Sequence, residues 1–75
     1  MKTAQVTSRE LSINGERRQI STTVVTLEAL LDHLGVQKDR VVVEHNLKIL
    51  KRGEHSVVRL SENDTIEIIR LVGGG

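Results

Sequence analysis

Thr65-Ile66-Glu67-Ile68-Ile69-Arg70-Leu71-Val72-Gly73-Gly74-Gly75 is the stretch on which the fold turns. Its β-branched run predicts a final strand from Thr65 to Val72. Being apolar at Ile66, Ile68, Ile69, Leu71 and Val72, that strand is expected near the centre of a sheet and paired with the first strand. It passes without a turn into three glycines, which have no side chain to bury and no preferred sign of φ. Gly73, Gly74 and Gly75 are therefore expected to leave the body as a flexible filament whose one reactive group is the carboxylate of Gly75. With no Cβ beside it, that carboxylate fits a narrow channel and offers a nucleophile an unhindered carbonyl carbon. Taken alone, a glycine-rich end reads equally well as a frayed or processed terminus, so the rest of the chain has to decide.

Upstream, Leu27, Leu30, Leu31 and Leu34 fall at i, i+3, i+4 and i+7, while Glu28, Asp32 and His33 face away. Thr26 is placed to N-cap this helix and Gly35 to close it, which predicts a helix over Leu27 to Leu34. Leu30, Leu31 and Leu34 are expected to pack against Ile66 and Ile68. Earlier still, Val6 to Ile13 ends at Asn14-Gly15, the pair that supplies both φ > 0 positions of a type I′ turn. Glu16 to Ser21 returns as a charged edge strand with Ile20 its single apolar residue. Val41-Val42-Val43 reads as an inner strand, Asn46-Leu47-Lys48 as a turn, Ile49-Leu50 as a short returning strand, and Ser61 to Asp64 as a polar turn before the last strand.

The order is hairpin, helix, strand, short strand, final strand. One main helix on one face of a mixed sheet of four to five strands is an α+β two-layer domain, and this arrangement is the β-grasp. Residues 1–72 make one domain and 73–75 its tail. At 75 residues such a domain is expected to be stable by about 4–11 kcal/mol.

Composition narrows the function. With no Cys there is no disulfide framework, thiol nucleophile or thiolate zinc site. No aromatic residue is present and the net charge is +1, so both the stacking platforms and the basic stripe of a nucleic-acid binder are missing. No apolar run approaches the roughly 18 residues of a membrane span, and no leader-like segment opens the chain. A cytoplasmic protein with neither nucleic acid nor membrane as partner is the expectation. His33, His45 and His55 lack metal-ligand spacing and read as solvated, so no metal is assigned. Glu44, Glu54, Glu62, Asp64 and Glu67 form no recognisable acid/base pair and read as outward charges; no catalytic residue is assigned.

Thr26 to Val36, Val41-Val42-Val43-Glu44 and Asn63 to Gly75 together resemble the ThiS-type sulfur carriers of thiamine biosynthesis, in the ubiquitin-like superfamily. The likeness covers about fifty residues, and its specific part is the β-grasp order joined to a strand that runs into a terminal Gly-Gly. It implies a carrier that binds no permanent cofactor and is itself no enzyme. A ThiF-like adenylating enzyme would use ATP to adenylate the Gly75 carboxylate. Sulfur from a donor such as a cysteine desulfurase would displace AMP and leave a thiocarboxylate, from which thiazole synthase would take the sulfur. Two departures concern loops. The family commonly has Asn-Gly where this chain has Asn46-Leu47, and because a leucine is strained at φ > 0 a different or longer turn is expected there. Asn63-Asp64 replaces Gly-Asp, a mild change because asparagine tolerates the left-handed region.

Two other functions share the fold and the activation chemistry: a small subunit of the molybdopterin-synthase type, which usually carries a proline near its Gly-Gly, and a modifier conjugated to lysines. A plain interaction domain is the remaining class. For the carrier reading, strand period two sets Glu67, Ile69 and Leu71 on the face that a single helix leaves uncovered. Ile69 and Leu71, with Val72 beside the glycines, are thus the candidate docking residues for the adenylating enzyme and the synthase.

Overall fold

Asn14 and Gly15 have φ of 50° and 83°, the double left-handed turn that Asn-Gly favours, and they join β1 (Ser8–Ile13) to β2 (Glu16–Ser21) in an antiparallel hairpin. The structure is a computed structural model that describes residues 7–71. Val6, Val72 and the three terminal glycines lie outside the described residues, as does the expected flexibility of the tail. After the hairpin come α1 (Leu27–Leu34), β3 (Val41–His45), β4 (Lys48–Leu50) and β5 (Thr65–Arg70), with 3-10 turns at Lys38–Arg40 and Arg52–Glu54. The final strand thus stops two residues short of its expected end. The sheet order is β2-β1-β5-β3-β4; β5 is central, parallel to β1 and antiparallel to β3.

The helix ends where its capping chemistry says. Thr26 Oγ1 accepts from the Ala29 N–H at 3.1 Å. Gly35 takes φ 74°, its N–H donates to Asp32 O, and the Val36 N–H donates to Leu31 O at 2.9 Å, the paired bonds of a Schellman motif. Leu27, Leu30 and Leu31 are fully buried and meet Leu11, Val43 and Ile66 in one core, with Leu34 and Ile68 partly buried at its margin. The edge strand β2 contributes Ile20 alone to that core.

The turn after β3 corrects the sequence reading. His45 pairs with Lys48, so the link is the two residues Asn46 and Leu47, at φ 49° and 72°; it is neither longer nor of another kind. Holding a leucine in the left-handed region costs about 1–2 kcal/mol. What offsets that cost is the anchoring of Asn46. Its N–H donates to Thr65 O at 2.8 Å, its Oδ1 accepts from the Thr65 N–H at 2.8 Å, and its Nδ2 donates to Asp64 Oδ1 at 3.1 Å. Each such bond is worth about 1 kcal/mol, and together they hold the turn against the start of β5. Asn63, at φ 68°, accepts the left-handed region as its side chain allows.

Leu47 is 87% exposed, so its side chain adds little packing to set against the strain. Leu47→Gly is therefore expected to raise stability by about 0.5–1 kcal/mol, the relief of strain less the greater unfolded-state freedom of glycine. The check is the urea midpoint at unchanged m-value; a midpoint that falls would mean the leucine makes contacts that outweigh its backbone.

Candidate functional site

The candidate tail, Gly73 to Gly75, lies beyond the described residues, as does Val72, so the site that can be built is the base from which it continues. Two anchors position that base. Asn14, one residue past the end of β1, extends the parallel pairing with its side chain: the Ile68 N–H donates to Asn14 Oδ1 at 2.6 Å and Asn14 Nδ2 donates to Ile68 O at 3.3 Å. Further along, the Leu71 N–H donates to Arg40 O at 2.9 Å. The chain is therefore held to the body up to Leu71. Ile69 and Leu71 are 51% and 55% exposed, and strand period two puts Ile69 on the face opposite α1.

Around this base the charge is positive. Between the C-terminal end of α1 and β5 lies an open cleft of about 380 Å³, lined among others by Asn14, Arg18, His33 and Arg70. A neighbouring cleft of about 300 Å³ is lined among others by Arg40, Arg70 and Leu71. Neither lining includes a carboxylate side chain, so both suit contact with an acidic surface better than acid/base chemistry. Among the described residues no group of three or more His, Cys, Asp or Glu is placed to hold a metal. No helix among them is long and apolar enough to cross a membrane.

Three residues read as outward or solvated are neither. Asp64 is buried at 7% exposure; its Oδ2 accepts from the Ser61 N–H at 2.8 Å and lies 2.8 Å from His45 Nε2. Burial pushes the Asp64 carboxyl up, but the hydrogen bonds from His45, Asn46 and Ser61 outweigh it and hold its pKa below the ordinary 3.8. His45 is thus the partner of a buried carboxylate. His55 is 2% exposed, and neither ring nitrogen has a hydrogen-bond partner among the described residues. Of the three histidines only His33 is exposed. Polar residues in a polar turn carry no sequence signal that distinguishes a buried hub from a solvated loop, which is why these were missed; the Asn-Gly motif marked Asn14 as a turn residue but not as a strand surrogate.

A profile of the ThiS family matches residues 7–75. The chain belongs to the ThiS family. Within it, the sulfur carrier protein ThiS of Bacillus subtilis is 32% identical over 65 residues, which are 87% of this chain and 98% of that protein. The crystal structure of the thiamine biosynthesis protein ThiS from Geobacter metallireducens superposes with a TM-score of 0.76 at 28% identity, over 88% of this chain and 99% of the other. The five-stranded mixed sheet with one helix is the ThiS β-grasp, as the sequence order implied. A different kind of relative is the thiazole synthase of Paramagnetospirillum magneticum, 42% identical over 66 residues, or 88% of this chain. This chain spans 20% of that protein's length and the same share of a thiazole synthase from Magnetococcus marinus.

His55 gives the site's surroundings a pH dependence. Burial lowers its pKa below the usual 6.5; Glu28 and Glu54 nearby raise it, Lys38 and Arg52 lower it, and the balance stays below. The unfolded chain therefore takes up a proton that the folded one refuses, and stability is lost as pH falls from 6.5 toward the folded pKa. Asp64 adds a second loss of the same sign as pH falls below 3.8. His55→Leu is expected to remove the upper step and to raise stability at neutral pH by about 1 kcal/mol, since an unpartnered polar group leaves the core. Urea unfolding followed from pH 8 to pH 3 reads both, and a variant that kept the loss near pH 6 would assign it elsewhere.

Proposed function

We propose that this chain is a sulfur carrier of thiamine biosynthesis, acting as the substrate of other enzymes and catalysing nothing itself. The single observation that carries the reading is the way β5 is fastened through Asn14 and Arg40 up to Leu71, directly before Val72-Gly73-Gly74-Gly75 in the sequence. A body held firmly up to that point can present the glycines as a unit. In this proposal an adenylating enzyme of the ThiF kind joins a Gly75 carboxylate oxygen to the α-phosphorus of ATP and releases pyrophosphate. Sulfide, released by a thiol reductant from the persulfide of a donor such as a cysteine desulfurase, then attacks the carbonyl carbon. The C–S bond forms as the C–O bond to AMP breaks, and Gly75 keeps a thiocarboxylate. A chain without Cys can carry nucleophilic sulfur in this form.

Thiazole synthase is the proposed acceptor. Support comes from the relatives that bear that name, in which a segment similar to this chain is part of the same polypeptide. Ile69 and Leu71, with Val72, are the proposed docking residues for the adenylating enzyme and the synthase, because the side chains of Ile69 and Leu71 are exposed and apolar and all three come just before the glycines in the sequence. A cytoplasmic location is part of the same proposal.

Deleting Gly75, or appending one residue after it, is expected to abolish activation while changing stability by no more than about 0.5 kcal/mol. ATP–pyrophosphate exchange by the cognate adenylating enzyme measures this, and exchange that survived the deletion would remove the tail from the mechanism. Ile69→Asp is expected to weaken binding to that enzyme about tenfold or more with little change in thermal unfolding, since its side chain is already half in water. An unchanged dissociation constant would place the docking surface elsewhere.

A further inference from the structure

No helix of the described residues covers the outer face of β3, β4 and β5, and its cross-strand register brings together a particular set of side chains. Val42 stands opposite Ile69, while Glu44 stands between Glu67 on β5 and Ile49 on β4. Ile49 is 64% exposed, and Leu47 in the β3–β4 turn is 87% exposed. Directly opposed residues on one face have Cβ atoms about 4.5–5.5 Å apart, and like charges so placed oppose the pairing of the strands. Both carboxylates are half-buried. The ion pairs of the described residues are Arg17–Glu10, Lys38–Glu28, His45–Asp64 and Lys48–Glu54; neither Glu44 nor Glu67 belongs to one. The domain thus holds two adjacent carboxylates, paired with no cation among the described residues, inside an exposed apolar patch. That is unfavourable for the isolated domain and favourable for a partner that brings a cation to it.

We propose that Glu44 and Glu67 together receive an arginine of the thiazole synthase, with Ile49, Val42 and Ile69 closing around it. This rests on the synthase being the acceptor, as argued above. A guanidinium presents five N–H donors in a fixed plane and can bridge two carboxylates, which a single ammonium does less well. The apolar rim sheds water when the surfaces meet, and the charge contact strengthens as the local dielectric falls. The synthase is the occupant because relatives that bear its name carry a segment like this chain in the same polypeptide. The patch also runs through Ile69 toward Leu71, so a contact made there sets the direction in which the tail leaves.

Calorimetric titration of the full chain against the thiazole synthase of the same organism, at low and at high salt, tests this. The double variant Glu44→Gln/Glu67→Gln is expected to bind the synthase about tenfold or more weakly at low salt, with a flatter salt dependence. Its melting temperature should equal or exceed that of the parent, because the repulsion is gone. Glu67→Lys, which supplies an internal partner for Glu44, should weaken binding further while also unfolding no earlier. ATP–pyrophosphate exchange by the adenylating enzyme should be unaffected by either. If the parent binds and the double variant binds equally well, the carboxylate pair is plain solvated surface and the inference fails, with the carrier reading intact. A melting temperature that falls, or exchange that is lost in step with synthase binding, overturns it as well. A parent chain that does not bind the synthase at all removes both the acceptor and this inference.

Discussion

The buried carboxylate of Asp64 holds the start of the central strand, and most of the structure follows from where that strand begins. It takes hydrogen bonds from the Ser61 N–H and from Asn46, and faces His45 across 2.8 Å, so one side chain ties the polar turn, the end of β3 and the first residue of β5 together. A buried carboxylate is tolerable only when such donors replace its lost water. Asn46 completes the lock by bonding to both the N–H and the carbonyl of Thr65. Because side chains alternate with a period of two, a slip of one residue at Thr65 would bring Glu67 and Ile69 into the core and expose Ile66 and Ile68. The lock at Asp64 and the fully buried Ile66 therefore specify the same register by independent means.

Once that register is set, the two faces of the sheet acquire different roles. The helix covers one face, and the leucines of α1 consume the apolar side chains that point toward it. Nothing of comparable size among the described residues lies over the other face. There the β2–β1 half is polar, with Arg17 and Gln19 both donating to Glu10, and the β5–β3–β4 half carries Ile69, Val42 and Ile49 around two carboxylates. The division is a direct outcome of strand order, since β5 and β3 are neighbours only because β5 inserts between β1 and β3.

Strain and polarity are accepted away from the core's centre. Leu47 keeps a left-handed backbone and an exposed side chain, and His55 buries an imidazole without hydrogen-bond partners among the described residues. In both cases neighbouring bonds hold the backbone where it is. Asn46 anchors the turn, and the carbonyl of His55 accepts from the Glu28 N–H at 2.8 Å in the first turn of α1.

The sequence by itself determined the elements and their order, because the signals for these are local. Asn14-Gly15 sets a hairpin, Thr26 and Gly35 bound a leucine-striped helix, and the β-branched runs at Val41 and Thr65 can only be strands. The position of β2 at an edge and of β5 at the centre was legible for the same reason, in the charge of one and the apolarity of the other. It also determined the facing of the last strand, since period two alone puts Ile69 outside. Only the tertiary structure decided the polar residues. Asp64, His45 and His55 look in sequence like any charged or titratable loop residues, and whether such a group is buried depends on how distant segments pack around it, as His45 and Asn46 do around Asp64. The conformation at Leu47 was decided there too, by bonds from Asn46 to Thr65 that no reading of local propensity contains. The opposition of Glu44 and Glu67 belongs to the same class, because cross-strand neighbours are fixed by register between distant segments, and register is a property of the assembled sheet.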